Sequence, residues 1–403
     1  MNAVIQPGRL KGAVEIPSSK SYAHRLLIAA ALSDAPTEVR MNALNNDIIA
    51  TVSCLTALGA GIERTDAGFL VHPIETVSPD ERTLFCGESG STLRFMIPVA
   101  AALGASCVLT GAGRLPERPN RILTDALNAH GAHADSDLLP MRLSGRLAGG
   151  AYPIAGNVSS QYITGLLLAL PLCAADSEIA LTTALESAAY IDITLETLLP
   201  FGIHIERTAA GWRIPGGQRY HSPRSVSAEG DWSGAAFWQA ANRLGSEIDC
   251  LGLNPRSIQG DRAIVEMLSR PGGEIDVSGT PDLVPALAVA AAVHPGVTRI
   301  TGASRLRIKE SDRLATVAGM LRALGGRVDE LEDGLVIHGG APLTGGTVDG
   351  CNDHRIVMAA AIAATVAQGP VTITDAQAVN KSYPAFFDAF NALGGQANVE
   401  PDR

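Results

Sequence analysis

A chain of 403 residues is longer than one ordinary hydrophobic core, and it predicts two domains of about 200 residues each. The composition is 46% hydrophobic with 42 glycines and few aromatic residues, which is typical of a soluble globular protein whose helices pack closely on sheets. The net charge of -10 argues against a nucleic-acid binder, so an anionic ligand would have to be met by cations gathered locally.

The six cysteines are scattered and none forms a C-x-x-C pair, so the sequence predicts neither a metal site nor a disulfide framework. The first residues lack the basic and apolar parts of a signal peptide. No apolar run approaches the roughly 20 residues that a membrane-spanning helix needs. We therefore expect a cytoplasmic protein with reduced cysteines.

An apolar helix end, a glycine and a strand-like run recur six times along the chain. Glycine after a last helical turn supplies the left-handed C-cap conformation, and runs such as GIHIE alternate as a strand does. One such match is common in α/β proteins, but six at similar spacing predict a repeated α/β unit of about 70 residues. The six glycines are Gly59, Gly131, Gly202, Gly272, Gly325 and Gly394, at intervals of 72, 71, 70, 53 and 69 residues.

Three units in each half predict two domains of similar build. A polar, serine-rich run at residues 220–230 marks the join between them. A second crossing at residues 16–20 is expected if the N-terminal strand belongs with the second half. We therefore predict a first domain over residues 19–226 and a discontinuous second domain over residues 1–18 plus 227–403.

Seven segments begin with a short polar motif and continue into an Ala- and Leu-rich helix. N-capping explains their Ser, Asp, Asn and Gly residues. It does not explain the cations in the same first turns, because cations oppose the positive end of the helix dipole. Helix ends that surround an anion would explain both features. These cations are Lys20, Arg25, Arg94, Lys309, Arg313 and Arg355.

Two acids are best placed to act beside these cations, Asp282 and Glu310. Either could instead be a first-turn acid favoured by the helix dipole. If their segment is helical, Glu310 and Arg313 share one face at a spacing of three residues. Two further cations, Arg118 on a loop and Lys381 before the last helix, could each be no more than a surface residue.

Nine motifs occur along the chain in a definite order: Lys20-Ser21-x-x-x-Arg25, Gly87-Glu88-Ser89-Gly90-Ser91-Thr92-x-Arg94, Glu117-Arg118-Pro119, Ser159-Ser160-Gln161, Ser187-x-x-Tyr190-Ile191-Asp192-Ile193-Thr194, Asp282, Lys309-Glu310-Ser311-Asp312-Arg313-Leu314, Asn352-Asp353-His354-Arg355 and Lys381-Ser382-Tyr383-Pro384. In this order they resemble the enolpyruvyl transferase family, and specifically the EPSP synthases. The resemblance covers essentially the whole chain.

The resemblance implies an α/β fold of two similar domains, each of three βαβαββ repeat units (an inside-out α/β barrel), with the active site in the interdomain cleft. It implies transfer of the enolpyruvyl group of phosphoenolpyruvate to the 5-hydroxyl of shikimate 3-phosphate by addition and elimination. The implied partners are these two small molecules, with no cofactor, metal, nucleic acid or membrane, and the implied state is a monomer.

The resemblance also implies a role for each matching residue. Asp282 would accept the 5-hydroxyl proton, Glu310 would exchange the C3 proton, and Lys20 would be their cationic partner. Shikimate 3-phosphate would be bound by Lys20, Ser21, Arg25, Ser159, Ser160, Gln161, Ser187, Tyr190, Asp282 and Lys309. Phosphoenolpyruvate would be bound by Lys20, Gly90, Arg118, Gln161, Arg313, His354, Arg355 and Lys381.

Two positions qualify the resemblance. Arg305 stands four residues before the motif lysine, where many family members carry Asn, so an altered acceptor contact is open. Gly90 matches the usual small residue near the phosphoenolpyruvate phosphate, so we expect sensitivity to the inhibitor glyphosate.

Three alternatives remain. The sister enzyme that acts on UDP-N-acetylglucosamine carries a reactive Cys where this chain has Gly113, and the Ser-Ser-Gln and Tyr-Ile-Asp-Ile-Thr segments also favour the shikimate acceptor. An RNA 3'-phosphate cyclase would be expected to present a basic face, which the acidic balance disfavours. A non-catalytic binding homologue would be expected to lack Asp282, Glu310 or Lys20, and all three are present.

Overall fold

The structure is a computed structural model that describes residues 1–270 and 272–401. Pro271, Asp402 and Arg403 lie outside the described residues, so the predicted second domain is described only up to Pro401. The chain divides into two compact units. Unit 1 consists of Met1–Pro17 and the chain from Gly230 onward, and unit 2 consists of Ser18–Glu229.

Helices and strands alternate through most of both units. The α-helices are α1 Lys20–Ala31, α2 Asn46–Ala57, α3 Gly90–Leu103, α4 Arg121–Asn128, α5 Ser160–Ala169, α6 Ala188–Leu198, α7 Trp232–Arg243, α8 Ile264–Ser269, α9 Val284–Val293, α10 Arg313–Ala323, α11 His354–Ala364 and α12 Phe386–Ala392. The strands are β1 Asn2–Gln6, β2 Lys11–Glu15, β3 Thr37–Arg40, β4 Gly61–Thr65, β5 Gly68–His72, β6 Arg82–Phe85, β7 Cys107–Thr110, β8 Ala132–Ala134, β9 Met141–Gly145, β10 Ala151–Ile154, β11 Ser177–Leu181, β12 Glu206–Arg207, β13 Gly211–Ile214, β14 Ser225–Ser227, β15 Glu247–Leu251, β16 Gly273–Asp276, β17 Gly296–Thr301, β18 Arg327–Glu330, β19 Leu335–Gly339, β20 Gly346–Val348, β21 Val371–Ile373 and β22 Gln396–Glu400.

The three sheets of unit 2 share one topology. Their strand orders are β14-β3-β5-β4, β6-β7-β9-β8 and β10-β11-β13-β12. In each sheet the first two strands are parallel and the other pairs are antiparallel. A parallel pair joined directly along the chain needs a crossover helix, and an antiparallel pair needs only a turn, so the sheets β6-β7-β9-β8 and β10-β11-β13-β12 are each one continuous βαβαββ unit. The sheet β14-β3-β5-β4 has the same strand order, but its first strand, β14, comes from the C-terminal end of unit 2.

Unit 1 repeats this topology twice, in the sheets β16-β17-β19-β18 and β20-β21-β1-β22. Its third repeat is shorter, because β2 and β15 pair in parallel as a sheet of two strands. After α8 the described chain continues directly into β16, the first strand of the next sheet. Among the described residues, the two antiparallel strands that complete the other sheets are absent directly after Gly272, and this explains the short interval of 53 residues between Gly272 and Gly325.

All six glycines of the sequence repeat adopt the left-handed conformation that was predicted for them, with φ between 76° and 111°. Five of them lead into the outer antiparallel strand of a sheet, namely β4, β8, β12, β18 or β22. Gly272 differs, because it precedes the parallel strand β16. The six glycines therefore mark helix ends as predicted, and a strand follows each of them; only the strand after Gly272 has a different place in its sheet.

Each unit encloses its own apolar core, and small residues let the central helices approach closely. In unit 2, α3 packs against α5, and Gly165 of α5 lies against the carbonyl oxygen of Arg94. In unit 1, α9 and α11 are buried almost throughout, as their apolar sequences predict. Within the part of the chain that the structure describes, no helix combines the length and the apolar character needed to cross a membrane.

We expect Gly165→Ala to lower the free energy of unfolding of unit 2 by about 1–3 kcal/mol, because a Cβ there would overlap the Arg94 carbonyl and Pro98. The matched control is Gly319→Ala, an exposed position of α10 where a Cβ has no atom within 4 Å. The control is expected to raise stability by about 0.5–1 kcal/mol. Urea unfolding followed by circular dichroism measures both, and equal effects of the two changes would contradict the close packing of α3 on α5.

Candidate active site

The predicted site residues of unit 2 begin at the N-terminus of α1. Lys20 is the first residue of this helix, and its Nζ lies 3.0 Å from Oδ2 of Asp47 in the first turn of α2. Both side chains are largely buried. Asp47 is not predicted from the sequence, because an acid in the first turn of a capped helix looks like ordinary dipole compensation.

Arg25 lies one turn further along α1 and is 2% exposed. Its guanidinium donates to Oγ1 of Thr194 (2.8 Å) and to the carbonyl oxygens of Tyr190 (3.0 Å) and Ser21 (2.6 Å). None of the described carboxylates lies within ion-pair distance. Burial lowers the pKa of Arg25, yet a guanidinium remains protonated in proteins, so a buried positive charge is held here by neutral acceptors.

Arg118 lies over the start of α3. A Cβ built on Gly90, the first residue of that helix, would lie only 2.7 Å from Nη1 of Arg118. The Arg118 side chain is largely buried, and its Nε has no hydrogen-bond partner among the described residues. Glycine at position 90 therefore permits a cation to lie directly beside the free amides of the helix N-terminus.

Arg94 links several of these groups, although the sequence analysis gave it no substrate. Its Nη1 donates to Oε1 of Gln161 (2.7 Å), and Nε2 of Gln161 donates to Oγ of Ser91 (2.9 Å). Its Nε donates to Asn120 (3.2 Å), whose amide donates to the carbonyl of Arg118 (3.0 Å). Arg94 thus orients Gln161 and the loop of Arg118 from inside the fold. Nothing in the sequence distinguished Asn120 from an ordinary loop residue.

The predicted serines stand at the starts of α5 and α6, which pack together. Ser159 is the N-cap of α5 and accepts from the amide of Gln161, and Ser160 is the first residue of the helix. Ser187 is the N-cap of α6 with φ 53°, a left-handed conformation that is uncommon for a residue with a side chain. Such backbone strain clusters at functional sites. Tyr190 lies in the first turn of α6.

In unit 1, the predicted site residues form a network of ion pairs around Arg313. Its guanidinium contacts Asp282 (2.9 Å), Glu310 (2.5 Å) and Asp353 (2.8 Å), and it is 1% exposed. Burial alone would lower the pKa of Arg313, but the three carboxylates raise it. Arg313 is therefore a permanent cation whose side chain is fixed from three directions.

Asp282 lies among three cations. Its Oδ2 is 3.1 Å from Arg355, and its Oδ1 is 2.9 Å from Arg313 and 3.8 Å from Lys309. Burial would raise the pKa of Asp282, but the positive charges of Arg355, Lys309 and Arg313 outweigh burial and hold this pKa below its usual range. Asp282 is ionised at neutral pH.

The remaining predicted residues of unit 1 surround the start of α11. Asp353 is the N-cap, and His354 and Arg355 are the first two helical residues. Lys381 donates from Nζ to the carbonyl oxygen of Asn352 at 2.5 Å. Asn352 has φ 49°, again a left-handed conformation outside glycine. His354 is buried, with its Nδ1 3.9 Å from Asp353.

The prediction that Glu310 and Arg313 share one face of a helix is wrong. The helix α10 begins at Arg313 with Asp312 as N-cap, so Lys309 and Glu310 precede it in an irregular segment. Glu310 nevertheless reaches Arg313, because the chain turns there. Across the described residues, no group of three or more His, Cys, Asp or Glu side chains is arranged to hold a metal ion.

These two sets of residues can be compared with known proteins. A family model described as EPSP synthase (3-phosphoshikimate 1-carboxyvinyltransferase) matches residues 4–278 and 269–390. The chain belongs to the EPSP synthase family. This membership confirms the resemblance found in the ordered motifs.

Relatives in the EPSP synthase family cover nearly the whole chain. A Clostridium kluyveri protein named 3-phosphoshikimate 1-carboxyvinyltransferase is 41% identical over 97% of this chain and 97% of its own length. A Clostridium acetobutylicum protein of the same name is 41% identical over 99% of each. The solved structure of an EPSP synthase from Acinetobacter baumannii is 25% identical, with a TM-score of 0.82 over 99% of this chain and 100% of that one. The α/β fold class of repeated units is thereby confirmed.

Arg305, at the position where the motif resemblance leads us to expect Asn, makes a contact inside unit 1. Its Nη2 donates to the carbonyl oxygen of Ser278 at 2.6 Å. Arg305 belongs to a short 3-10 helix, Ser304–Ile308, that leads into Lys309, whereas Ser278 precedes Asp282. It therefore ties together the two segments that carry these acids and cations.

We expect Asp282→Asn to destabilise unit 1 by about 3 kcal/mol at neutral pH, because it leaves buried cations without a counter-charge. The pKa of Asp282 is below its unfolded value of about 3.9, so its charge stabilises the fold above that pH. This contribution is lost as the pH falls through the lowered folded-state pKa. The difference between wild type and variant should therefore be constant down to about pH 5 and shrink below about pH 4.

Urea unfolding at several pH values measures this difference. The matched control is Glu266→Gln, which removes an exposed i,i+4 partner of Arg270 in the same unit and should change stability by less than about 0.5 kcal/mol. A destabilisation by Asp282→Asn no larger than that of the control would show that the ion-pair network does not hold unit 1 together.

Proposed function

We propose that this chain transfers the enolpyruvyl group of phosphoenolpyruvate to the 5-hydroxyl of shikimate 3-phosphate and releases phosphate. Membership of the EPSP synthase family supports this reaction, as does the name 3-phosphoshikimate 1-carboxyvinyltransferase that its relatives carry. The observation that carries the proposal is the ionised Asp282 among Arg313, Arg355 and Lys309, with Glu310 on the same arginine. An acid–base pair held among cations suits proton transfer to and from anionic substrates.

The phosphoenolpyruvate phosphate and carboxylate need several cations, because the ligand is strongly anionic. Arginine forks bind both groups in a bidentate manner, and the amide of Gly90 adds a helix N-terminus. In unit 2, the buried Arg118 beside Gly90 supplies such a charge. The residues assigned to phosphoenolpyruvate are Lys20, Gly90, Arg118, Gln161, Arg313, His354, Arg355 and Lys381.

The acceptor carries a phosphate and a carboxylate at different positions. Serine hydroxyls and free amides at the starts of α5 and α6 suit the phosphate, and Lys309 adds a positive charge. Arg25, whose charge is met only by neutral acceptors, suits the carboxylate. The residues assigned to shikimate 3-phosphate are Lys20, Ser21, Arg25, Ser159, Ser160, Gln161, Ser187, Tyr190, Asp282 and Lys309.

The chemistry uses these groups in two steps. In the addition, the 5-hydroxyl oxygen bonds to C2 of phosphoenolpyruvate, Asp282 accepts the hydroxyl proton, and Glu310 donates a proton to C3. Glu310 therefore enters the addition in its protonated form. In the elimination, C3 returns a proton to Glu310 as the C2–O bond to phosphate breaks, and the departing phosphate takes up the proton held by Asp282, so both carboxyl groups return to their starting states. Lys20, paired with Asp47, stabilises the phosphate that leaves. Fixed charges supply the stabilisation without reorganisation, which is the largest usual contribution to catalysis.

The direct test is phosphate release from phosphoenolpyruvate by the purified chain. We expect release with shikimate 3-phosphate and none with UDP-N-acetylglucosamine. Release only with the second acceptor would identify the sister reaction, and no release with either would favour a binding protein. The monomeric state, the cytoplasmic location and glyphosate sensitivity stay predictions.

We expect Glu310→Gln and Asp282→Asn each to lower kcat by about 10²-fold or more, because each removes a group that moves a proton. The matched control is Glu330→Gln, which removes a half-buried acid of unit 1 that pairs with Arg307 outside the proposed site. Steady-state phosphate release measures all three. If either site variant turned over as fast as Glu330→Gln, its assigned role would be wrong.

We expect Gly90→Ala to raise the KM for phosphoenolpyruvate about tenfold or more. The added methyl displaces the guanidinium of Arg118, and a hydrogen bond to a charged group is worth about 1.5–3 kcal/mol. Stability should change little, because the displaced group is the flexible end of a side chain. The comparison is with Gly319→Ala, which should leave both KM values unchanged; an unaltered KM in Gly90→Ala would remove Arg118 from the proposed site.

A further inference from the structure

Unit 2 contains two pairs of threonine hydroxyls that are completely buried. Thr51 of α2 and Thr92 of α3 lie with their Oγ1 atoms 2.7 Å apart. Thr164 of α5 and Thr194 of α6 lie with theirs 3.0 Å apart. A hydroxyl buried in an apolar core is costly unless its bonds are satisfied, so each pair needs further polar partners. Those partners are different for the two pairs.

The Thr51–Thr92 pair connects α1, α2 and α3. Thr92 donates its single proton towards Oγ of Ser89 (2.8 Å) and the carbonyl oxygen of Asp47 (3.3 Å). Thr92 must then accept from Thr51, and Thr51 must accept from Nδ1 of His24 at 2.7 Å. Burial, together with the charges of Lys20 and Arg25, lowers the pKa of His24 well below its usual value, so His24 is neutral and donates from Nδ1.

This first chain of hydrogen bonds ends on two groups that adjoin proposed phosphoenolpyruvate ligands. Ser89 is the N-cap of α3 and immediately precedes Gly90. Asp47, whose backbone carbonyl accepts from Thr92, holds Lys20 through its carboxylate. The Thr51–Thr92 pair therefore fixes the relative positions of Gly90 and Lys20.

The Thr164–Thr194 pair has an equivalent place under the other proposed substrate. Thr194 donates to the carbonyl oxygen of Tyr190 (2.9 Å) and accepts from Nε of Arg25 (2.8 Å). Its proton is therefore used, so Thr164 donates to Thr194 and in turn accepts from Nη2 of Arg25 at 3.2 Å. Arg25 and Tyr190 are both proposed ligands of shikimate 3-phosphate, and both are fixed by this pair.

We propose that the two threonine pairs are separate positioning devices, with Thr51–Thr92 serving phosphoenolpyruvate and Thr164–Thr194 serving shikimate 3-phosphate. The inference rests on the proposed function. The hydrogen bonds of Thr164–Thr194 lead to ligands assigned to shikimate 3-phosphate alone. Those of Thr51–Thr92 lead towards Gly90, which is assigned to phosphoenolpyruvate alone, and towards Lys20, which is assigned to both substrates. None of those bonds runs between the two pairs. All four threonines are completely buried and none of them is assigned to a substrate, so these are positioning residues. A valine has nearly the shape of threonine but lacks the hydroxyl, so it interrupts one chain while filling the same space.

The test is a crossed set of substitutions with both KM values measured. In Thr51→Val and Thr92→Val, we expect the KM for phosphoenolpyruvate to rise about five- to twenty-fold while that for shikimate 3-phosphate stays within about twofold. In Thr164→Val and Thr194→Val, we expect the opposite. The variants of one threonine pair are thus the control for those of the other. If one variant does not fold, the variant of the second threonine in the same pair gives the test. Thr51→Ser and Thr194→Ser keep the hydroxyl and should restore near wild-type values.

A purely structural role predicts a different result. Valine at any of the four positions would then lower stability in urea unfolding but change both KM values equally or not at all, and that outcome overturns the inference. The failure of the proposed function is distinguishable, because wild-type protein would then release no phosphate with shikimate 3-phosphate. An active wild type whose four variants show no crossed pattern overturns the positioning roles alone.

Discussion

A cation at the N-terminus of a helix is repelled by the positive end of the helix dipole, which is unfavourable in free energy. Several helices of this chain carry such a cation at or near their N-terminus. In unit 1, the cost is met by carboxylates: Asp353 caps α11 and contacts Arg313, and Asp282 contacts Arg355. In unit 2, Asp47 forms an ion pair with Lys20, whereas Arg25 donates hydrogen bonds to hydroxyl and carbonyl oxygens. Unit 1 thus offsets these cations with carboxylates, whereas unit 2 does so for Lys20 and holds Arg25, in the second turn of α1, with neutral acceptors.

Carboxylate partners and neutral partners of a buried cation differ in the chemistry that they allow. A carboxylate that neutralises a buried arginine is also a base, and the cations that hold Asp282 ionised are those that can stabilise charge on a reacting phosphate. Under the proposed function, stability and reactivity therefore depend on the same contacts in unit 1. In unit 2, neutral acceptors leave the charge of Arg25 uncompensated, which favours an anionic ligand over a proton-transfer role. Proton transfer is accordingly proposed mainly for residues of unit 1 and acceptor binding mainly for residues of unit 2.

Much of this architecture follows from local sequence, and the rest depends on contacts between distant residues. The repeat glycines are recognisable because a left-handed helix end strongly favours glycine. Three of the six cations predicted in first helical turns lie there, namely Lys20, Arg313 and Arg355, and they are recognisable because they oppose the helix dipole. Arg25 and Arg94 lie one turn further along their helices, and Lys309 precedes α10. Asp47 and Asn120 follow no such rule, since their partners lie 27 and 26 residues away and only the packing of helices brings them together. Glu310 reaches its partner through a turn that the sequence pattern had suggested was helix.

The pairing of β1 has a consequence for how the protein is synthesised. This strand lies between β21 and β22, and Asn2 is paired with Glu400, so β1 is synthesised long before the strands with which it completes its sheet. All the strands of unit 2 precede Gly230 in the chain, and domains generally fold as units during synthesis. It follows that β1 and β2 remain without their sheet partners while unit 2 folds. For that interval the nascent chain presents unpaired strand edges, which are the sites at which other chains can add.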